Sequence, residues 1–506
     1  MPVKSQLKSG AKKMAGAKKK KLRVLFASPE AVPFIKTGGL ADVAGTLPVE
    51  LKELGVEPAV ILPLYRGISE KLQLESTGIK VSVPIQVYDE TEIKVGEVLT
   101  TVSDGVRAFF IKLDEYYDRE YLYSTPQGDY EDNAPRFVFY SRGVMEFIRA
   151  GGFTPEIVHC HDWQSALIPL YIKTLYKDDP KVGRLKTLLT IHNLGYQGVF
   201  WKYDIKQIGL DASYFTPEYL EFYGKVNFLK GGTIFTDLIN TVSKKYAEEI
   251  QTPQFGCGLE GVLITRTNDL YGIVNGIDYR VWNPETDPNL PANYSAKDLS
   301  GKKNCKANLQ KDLGLAVDSS PLIGCISRLA YQKGLDLVAD ALEEIIGMGF
   351  QVVILGTGEE KYQKLLSELA NKFPGKFALR LEFNDALAHR IEAGTDIFLM
   401  PSRYEPCGLN QMISLKYGTV PVVSATGGLE DTIEDFDPKT KTGTGFKIKT
   451  LTKEELVNIL SRVVKVYKEP KLWEKLVING MKKDFSWTSS AKEYLKLYQM
   501  LLKKKN

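Results

Sequence analysis

The chain has 506 residues, 43% of them hydrophobic and 25% charged, and no apolar run long enough to cross a bilayer, which excludes a disordered or membrane-spanning protein. The formal charge is +4, yet residues 1–21 carry eight lysines and no acid; without those eight, 58 basic face 62 acidic side chains, which excludes a basic nucleic-acid-binding face on the body. Five scattered cysteines, Cys160, Cys257, Cys305, Cys325 and Cys407, never in C-x-x-C spacing, exclude a disulfide framework or a structural zinc site and fit a reducing compartment.

The lysine-rich leader, residues 1–21, lacks the apolar core of a secretory signal and is poor in Ser and Arg for a transit peptide, so disorder is expected there. A cytoplasmic location follows, or a plastid one should the leader act as a targeting segment. From Leu22 onward short β-branched runs alternate with amphipathic stretches: RVLFAS, a Gly-rich turn, ADVAGTLPVELKELG, then PAVILP. This is the βαβ pattern of a parallel sheet covered by helices. Period-2 patterning in KVSVPIQVYD and RAFFIKL, within residues 65–130, predicts a hairpin-like antiparallel insertion. The strands EIVHCHD, LKTLLTIHN and DLINTVS complete a first lobe over residues 22–256.

PLIGCIS, FQVVILG, FALRLEF, DIFLMPS and VPVVSA, each followed by a helical pattern, predict a second α/β lobe over residues 257–484, crossover included. A final amphipathic helix, opened by a Thr or Ser cap, is expected over residues 485–506. Its periodicity leaves open which lobe it packs on. The fold class is therefore α/β, with two Rossmann-like doubly wound lobes.

Ligands of open α/β sheets bind outside the carboxyl ends of the strands, and the motifs cluster at such ends. Lys36-Thr37-Gly38-Gly39 in the first lobe has an echo at Ala425-Thr426-Gly427-Gly428 in the second. Paired glycines at a helix start let the backbone approach an anion, and Lys36 favours that use over a plain turn. Arg328 and Lys333 follow PLIGCIS and could hold a diphosphate with a fork and a point charge. After DIFLMPS come Arg403-Tyr404-Glu405-Pro406-Cys407-Gly408-Leu409, where Glu405 could accept sugar hydroxyls, the glycine amide could serve a phosphate, and Tyr404 could flank a base. The competing reading is an ordinary helix-start turn with Glu405 near the dipole.

His159 and His161 of HCHDW, and His192 of TIHNLGYQG, end two first-lobe strands. His159 and His161 are read as lying on opposite faces of their strand, which argues against a shared metal; His161 is expected to face a sugar and His159 to pack in the core. No metal and no cofactor are expected. Gly356-Thr357-Gly358-Glu359-Glu360 lacks a third glycine and carries acids where a pyrophosphate would sit, and no P-loop or G-x-S-x-G elbow occurs.

Taken in order, KTGGLADV, HCHDWQ, TIHNLGYQG, NGIDYRVWNP, SRLAYQKGLD, PSRYEPCGLNQ and ATGGLEDT resemble the successive motifs of the bacterial glycogen synthase and plant starch synthase family. The resemblance spans nearly all of the chain from Leu22. It implies a GT-B fold with the active site between the lobes, and metal-free, retaining transfer of glucose to the non-reducing end of an α-1,4-glucan. It further implies that Lys36, Gly38 and Gly39 form the first-lobe donor loop and that Arg328 and Lys333 grip the diphosphate. Glu405 becomes the sugar-binding carboxylate; Cys407, Gly408 and Leu409 the helix-start contact; and His161 the residue at the anomeric centre. Asn275 of NGID, Asp132 of YEDN, and Thr426 and Gly427 of the second Gly-Gly loop join as substrate-cleft residues. Many related transferases carry a second glutamate eight positions after the first; here that position is Ile413, which favours the glycogen and starch branch. ADP-glucose is the expected donor, with UDP-glucose as an alternative. The rival readings are another retaining GT-B glycosyltransferase with a different acceptor, or a non-catalytic glucan-binding protein.

Overall fold

The computed structural model describes residues 21–87 and 90–504, so the basic leader, except Lys21, falls outside the described residues. Two separate sheets organise the chain. The first has nine strands in the order Leu270–Gly272, Leu238–Thr241, Lys186–Ile191, Ile157–His161, Arg23–Ala27, Glu57–Pro63, Val106–Lys112, Glu90–Ser103, Glu75–Val87. All neighbours pair in parallel as far as Val106–Lys112; the last two strands are antiparallel. The segment expected as an inserted hairpin thus extends the main sheet. The first sheet also runs past residue 256, the boundary expected from the sequence, because Leu270–Gly272 joins its edge. Three residues are too few to register as a period.

The second sheet has six parallel strands in the order Phe377–Arg380, Gln351–Leu355, Leu322–Ile326, Ile397–Met400, Val420–Ser424, Phe446–Ile448. Helices cover both faces, so central strands such as Ile157–His161 and Gln351–Leu355 are buried along their whole length. This is why they read as near-continuous apolar runs, interrupted only by His159, His161 and Gln351. Helix Leu335–Gly347 shows the complementary pattern, burying Leu335, Val338, Leu342 and Ile345 on one stripe.

In each sheet the strand order reverses about one point: between Arg23–Ala27 and Ile157–His161 in the first, and between Leu322–Ile326 and Ile397–Met400 in the second. Loops at such reversals diverge to opposite faces and leave a crevice.

The chain crosses between the lobes twice, and the crossings lie side by side. Ile277 N donates to Phe485 O at 2.7 Å, and Ile277 bridges Ser486. The last helix, Trp487–Lys503, is capped by the Ser486 side chain and buries Trp487, Ala491, Tyr494, Tyr498 and Leu501 in the same apolar cluster as the first-lobe strands. It packs on helix Gly39–Glu53, and Lys186 Nζ donates to Lys504 O at 2.7 Å.

Candidate active site

In the second lobe, two loops leave neighbouring strands at their carboxyl ends. The loop after Leu322–Ile326 carries Arg328 and Lys333, and the loop after Ile397–Met400 carries Tyr404 and Glu405. Lys333 Nζ lies 2.6 Å from Glu405 Oε2, with the two side chains 18% and 9% exposed. Ser402 Oγ donates to the same carboxylate oxygen at 3.1 Å. The close seat of the two loops depends on Gly334: its φ is +67°, and a Cβ there would lie 2.1 Å from Pro401 O. Arg328 is exposed; its carbonyl accepts from Ser327 Oγ at 3.2 Å, but among the described residues its guanidinium has no hydrogen-bond or ion-pair partner.

Gly408 adopts φ +70°, and Cys407 and Leu409 flank it at the start of helix Asn410–Lys416. Asn410 Nδ2 donates to Ile326 O at 2.9 Å and so ties this helix start to the strand that precedes Arg328. Cys407 is buried within the first-lobe cluster, where burial pushes its thiol up to about 12 and a hydrogen bond to the Asn275 backbone pulls it back. Asn275 and Cys407 are therefore neighbours across the lobes. Asn275 Oδ1 is buried and has no hydrogen-bond partner. Tyr404 is half-buried, with Tyr196 and Cys257 of the first lobe nearby, and burial raises the pKa of its phenol.

In the first lobe His161 is fully buried at the end of its strand. Its Nδ1 lies 3.0 Å from His192 Nε2, and its Nε2 has no partner. Burial holds both imidazoles well below their usual range, His192 at about 3, so both rings are neutral. Asp162 takes a left-handed φ of +54°, rare for a non-glycine residue, and its Oδ1 accepts His192 N at 2.6 Å. Burial pushes this carboxyl up to about 8 against those backbone donors.

The His159 and His161 rings are 4.3 Å apart. The expectation that they face opposite ways was wrong, because side-chain direction alternates with period two and residues i and i+2 share a face. His159 packs in the core, as expected. Its Nδ1 lies 2.8 Å from Tyr498 Oη and its Nε2 2.6 Å from Thr190 Oγ1.

The remaining expected residues have contacts of their own. Lys36 pairs with Asp42 at 2.8 Å and is exposed; a Cβ on Gly38 or Gly39 would meet nothing within 4 Å, so that helix start is open. Asp132 is gripped by Arg119 through both carboxylate oxygens, at 2.7 and 2.5 Å. Thr426 and Gly427 are buried, and their donors already serve a carboxylate, that of Glu249.

Residues 23–265 match the starch synthase catalytic domain family, and residues 309–482 match glycosyl transferases group 1. The glycogen synthase of Koribacter versatilis is 46% identical over 479 residues, covering 94% of this chain and 98% of that protein. That of Geotalea daltonii is 46% identical over 486 residues, covering 96% and 100%. The chain belongs to the glycogen and starch synthase family. Among solved structures, the catalytic domain of starch synthase IV from Arabidopsis thaliana, bound to ADP and acarbose, superposes with a TM-score of 0.86 at 33% identity, covering 96% of this chain and 100% of that one. Sucrose-phosphate synthase from Thermosynechococcus elongatus shares the fold, with a TM-score of 0.59 at 15% identity.

This glucosyltransferase therefore has the GT-B organisation of two α/β lobes expected from its motifs. Ile413, eight positions after Glu405, is buried in the first-lobe apolar cluster. Sequence reasoning missed two residues of this synthase. Phe383, 94% exposed just past the carboxyl end of strand Phe377–Arg380, is a bare aromatic face on the edge that carries Arg328. The signal was present: an aromatic ring after a strand end, in LEFND. Glu249 gave no signal, since a glutamate closing a short helix resembles any solvated one. No helix among the described residues is long and apolar enough to cross a membrane.

Proposed function

We propose that the chain transfers glucose from ADP-glucose to the non-reducing end of an α-1,4-glucan, with retention, using the residues gathered at the lobe boundary. The observation that carries this reading is the Lys333–Glu405 pair at 2.6 Å beside the unpaired, exposed Arg328. Arg328 and Lys333 take the donor diphosphate, joined by the Gly408 and Leu409 amides and, from the first lobe, by Lys36, Gly38 and Gly39. Glu405 accepts sugar hydroxyls. The neutral His161, with its unpartnered Nε2, faces the transferred glucose, and Asn275 and Asp132 complete the cleft. Phe383 and Tyr404 offer faces to the base.

Fixed cations and amides stabilise charge where it develops, each key donor being worth about 3 kcal/mol. As the C1–O bond to the β-phosphate breaks, the pair of electrons stays on the phosphate. The glucan O4 attacks C1 from the same face, and its proton passes to the departing phosphate oxygen. The ADP seen in starch synthase IV supports adenine over uracil in the donor. Cysteines that are all free, four of them buried, support a cytoplasmic setting. Incorporation of labelled glucose into glycogen from ADP-glucose, compared with UDP-glucose, tests the reading; a preference for UDP-glucose overturns the donor, and no incorporation from either overturns the function.

A further inference from the structure

We propose that Glu249, a first-lobe residue that touches none of the reacting groups, is a positioning residue that sets the height of the Glu405 loop through Thr426 and Gly427. The inference rests on the reading of Glu405 as the sugar-side carboxylate.

Helix Lys244–Glu249 of the first lobe lies against helix Gly427–Thr432 of the second. The Glu249 carboxylate accepts Gly427 N at 3.1 Å through each oxygen, and Thr426 Oγ1 at 3.1 and 3.2 Å. In return, Asp431 at the far end of the second helix accepts Lys245 N at 2.9 Å. Each helix thus has its unpaired first-turn amides met by a carboxylate from the other, which satisfies both dipoles at once. Burial raises the pKa of both acids, against those amide donors.

The clasp bears on the site through backbone contact. Gly428 N donates to Glu405 O at 3.1 Å. Gly427 has φ +45°, and a Cβ there would lie 2.0 Å from Glu405 O; one on Gly428 would lie 2.0 Å from Cys407 O. Loop 426–428 is therefore the floor on which loop 405–407 rests, and Glu249 fixes that floor from the opposite lobe. On this reading Thr426 and Gly427 act through Glu405.

Glu249→Ala removes the acceptor; Glu249→Gln keeps the shape and one carbonyl acceptor. Misplacement of a reacting group by as little as 1 Å can cost about 100-fold. Glu249→Ala is expected to lower kcat with ADP-glucose at least about 10-fold, leave KM for glycogen unchanged, and speed amide exchange at Gly427 and Gly428, with Glu249→Gln recovering most of kcat. Should Glu249→Ala not fold, Thr426→Val, which removes only the hydroxyl donor, carries the test, with a smaller fall in kcat expected at unchanged melting temperature. A kcat for Glu249→Ala within about two-fold of the parent overturns the proposal, as does a loss that merely follows the folded fraction. The outcomes remain distinct from those of the functional reading. If the parent chain is inactive with either donor, that reading and this inference both fall; if the parent is active, Lys333→Ala is not, and Glu249→Ala is normal, only this inference falls.

Discussion

Lys333 Nζ and Glu405 Oε2 meet at 2.6 Å across 72 residues of chain, because the strands that deliver them, Leu322–Ile326 and Ile397–Met400, are neighbours in the second sheet. Parallel pairing places both strand ends on one edge, so a cation and a carboxylate far apart in sequence share one crevice. Lys333→Ala is expected to lower turnover about 100-fold, in line with loss of roughly 3 kcal/mol of charge stabilisation. It also strands a nearly buried carboxylate. Glu405→Gln added to Lys333→Ala is therefore expected to return the melting temperature toward that of the parent without returning activity; steady-state rates and thermal melts of the single and double variants check this.

Phe383 is 94% exposed, so its removal takes nothing from the core. A base stacked on an aromatic face is worth about 1–3 kcal/mol. Phe383→Ala should weaken ADP binding about 5- to 100-fold by calorimetry at an unchanged melting temperature. Tyr404→Ala run in parallel decides which ring carries the base.

Tyr498 Oη lies 2.8 Å from His159 Nδ1 in a fully buried layer behind His161. Tyr498→Phe leaves that nitrogen without a partner, at a cost of about 1–3 kcal/mol. Urea denaturation should show the loss as a lower midpoint with an unchanged slope.

Burial lowers the folded-state pKa of His159, His161 and His192, the last to about 3. Below about pH 6.5 the unfolded chain takes up protons that the folded one excludes, so these groups cost stability as pH falls, up to about 1.4 kcal/mol per pH unit each. Asp162 and Glu392, both pushed up to about 8, work the other way: the folded chain keeps protons that the unfolded one has released, so they cost stability as pH rises from about 4 to 8. Between about pH 4 and 6.5, where both sets titrate, the imidazoles and these carboxyls oppose one another. In His192→Gln the fall in melting temperature between pH 6.5 and 5 is expected to shrink; an unchanged fall would show that this imidazole titrates normally.

Much of the architecture was legible because a strand buried on both faces is rich in apolar residues along its whole length instead of alternating: EIVHCHD, LKTLLTIHN and FQVVILG each contain their strand. Strands Leu270–Gly272 and Phe446–Ile448, of three residues each, were not. Among site residues, those following a strand end at a fixed interval, such as Arg328, Lys333 and Glu405, could be singled out, since strand order alone brings them together. Glu249 could not, because its partner Gly427 lies 178 residues away and only the packing of the two lobes brings them into contact. The same holds for Tyr498 and His159, 339 residues apart.

The placement of helix Trp487–Lys503 matters for the order in which the protein is made. Synthesis proceeds from the N-terminus, and domains generally fold as they emerge. Here the lobe that emerges first lacks a wall until helix Trp487–Lys503 has been made, because Tyr494, Tyr498 and Leu501 complete its core. The imidazole layer of His159 and His161 is thus completed only once that helix is in place, and a nascent product that lacks it has the second lobe's cations without a finished layer to oppose them.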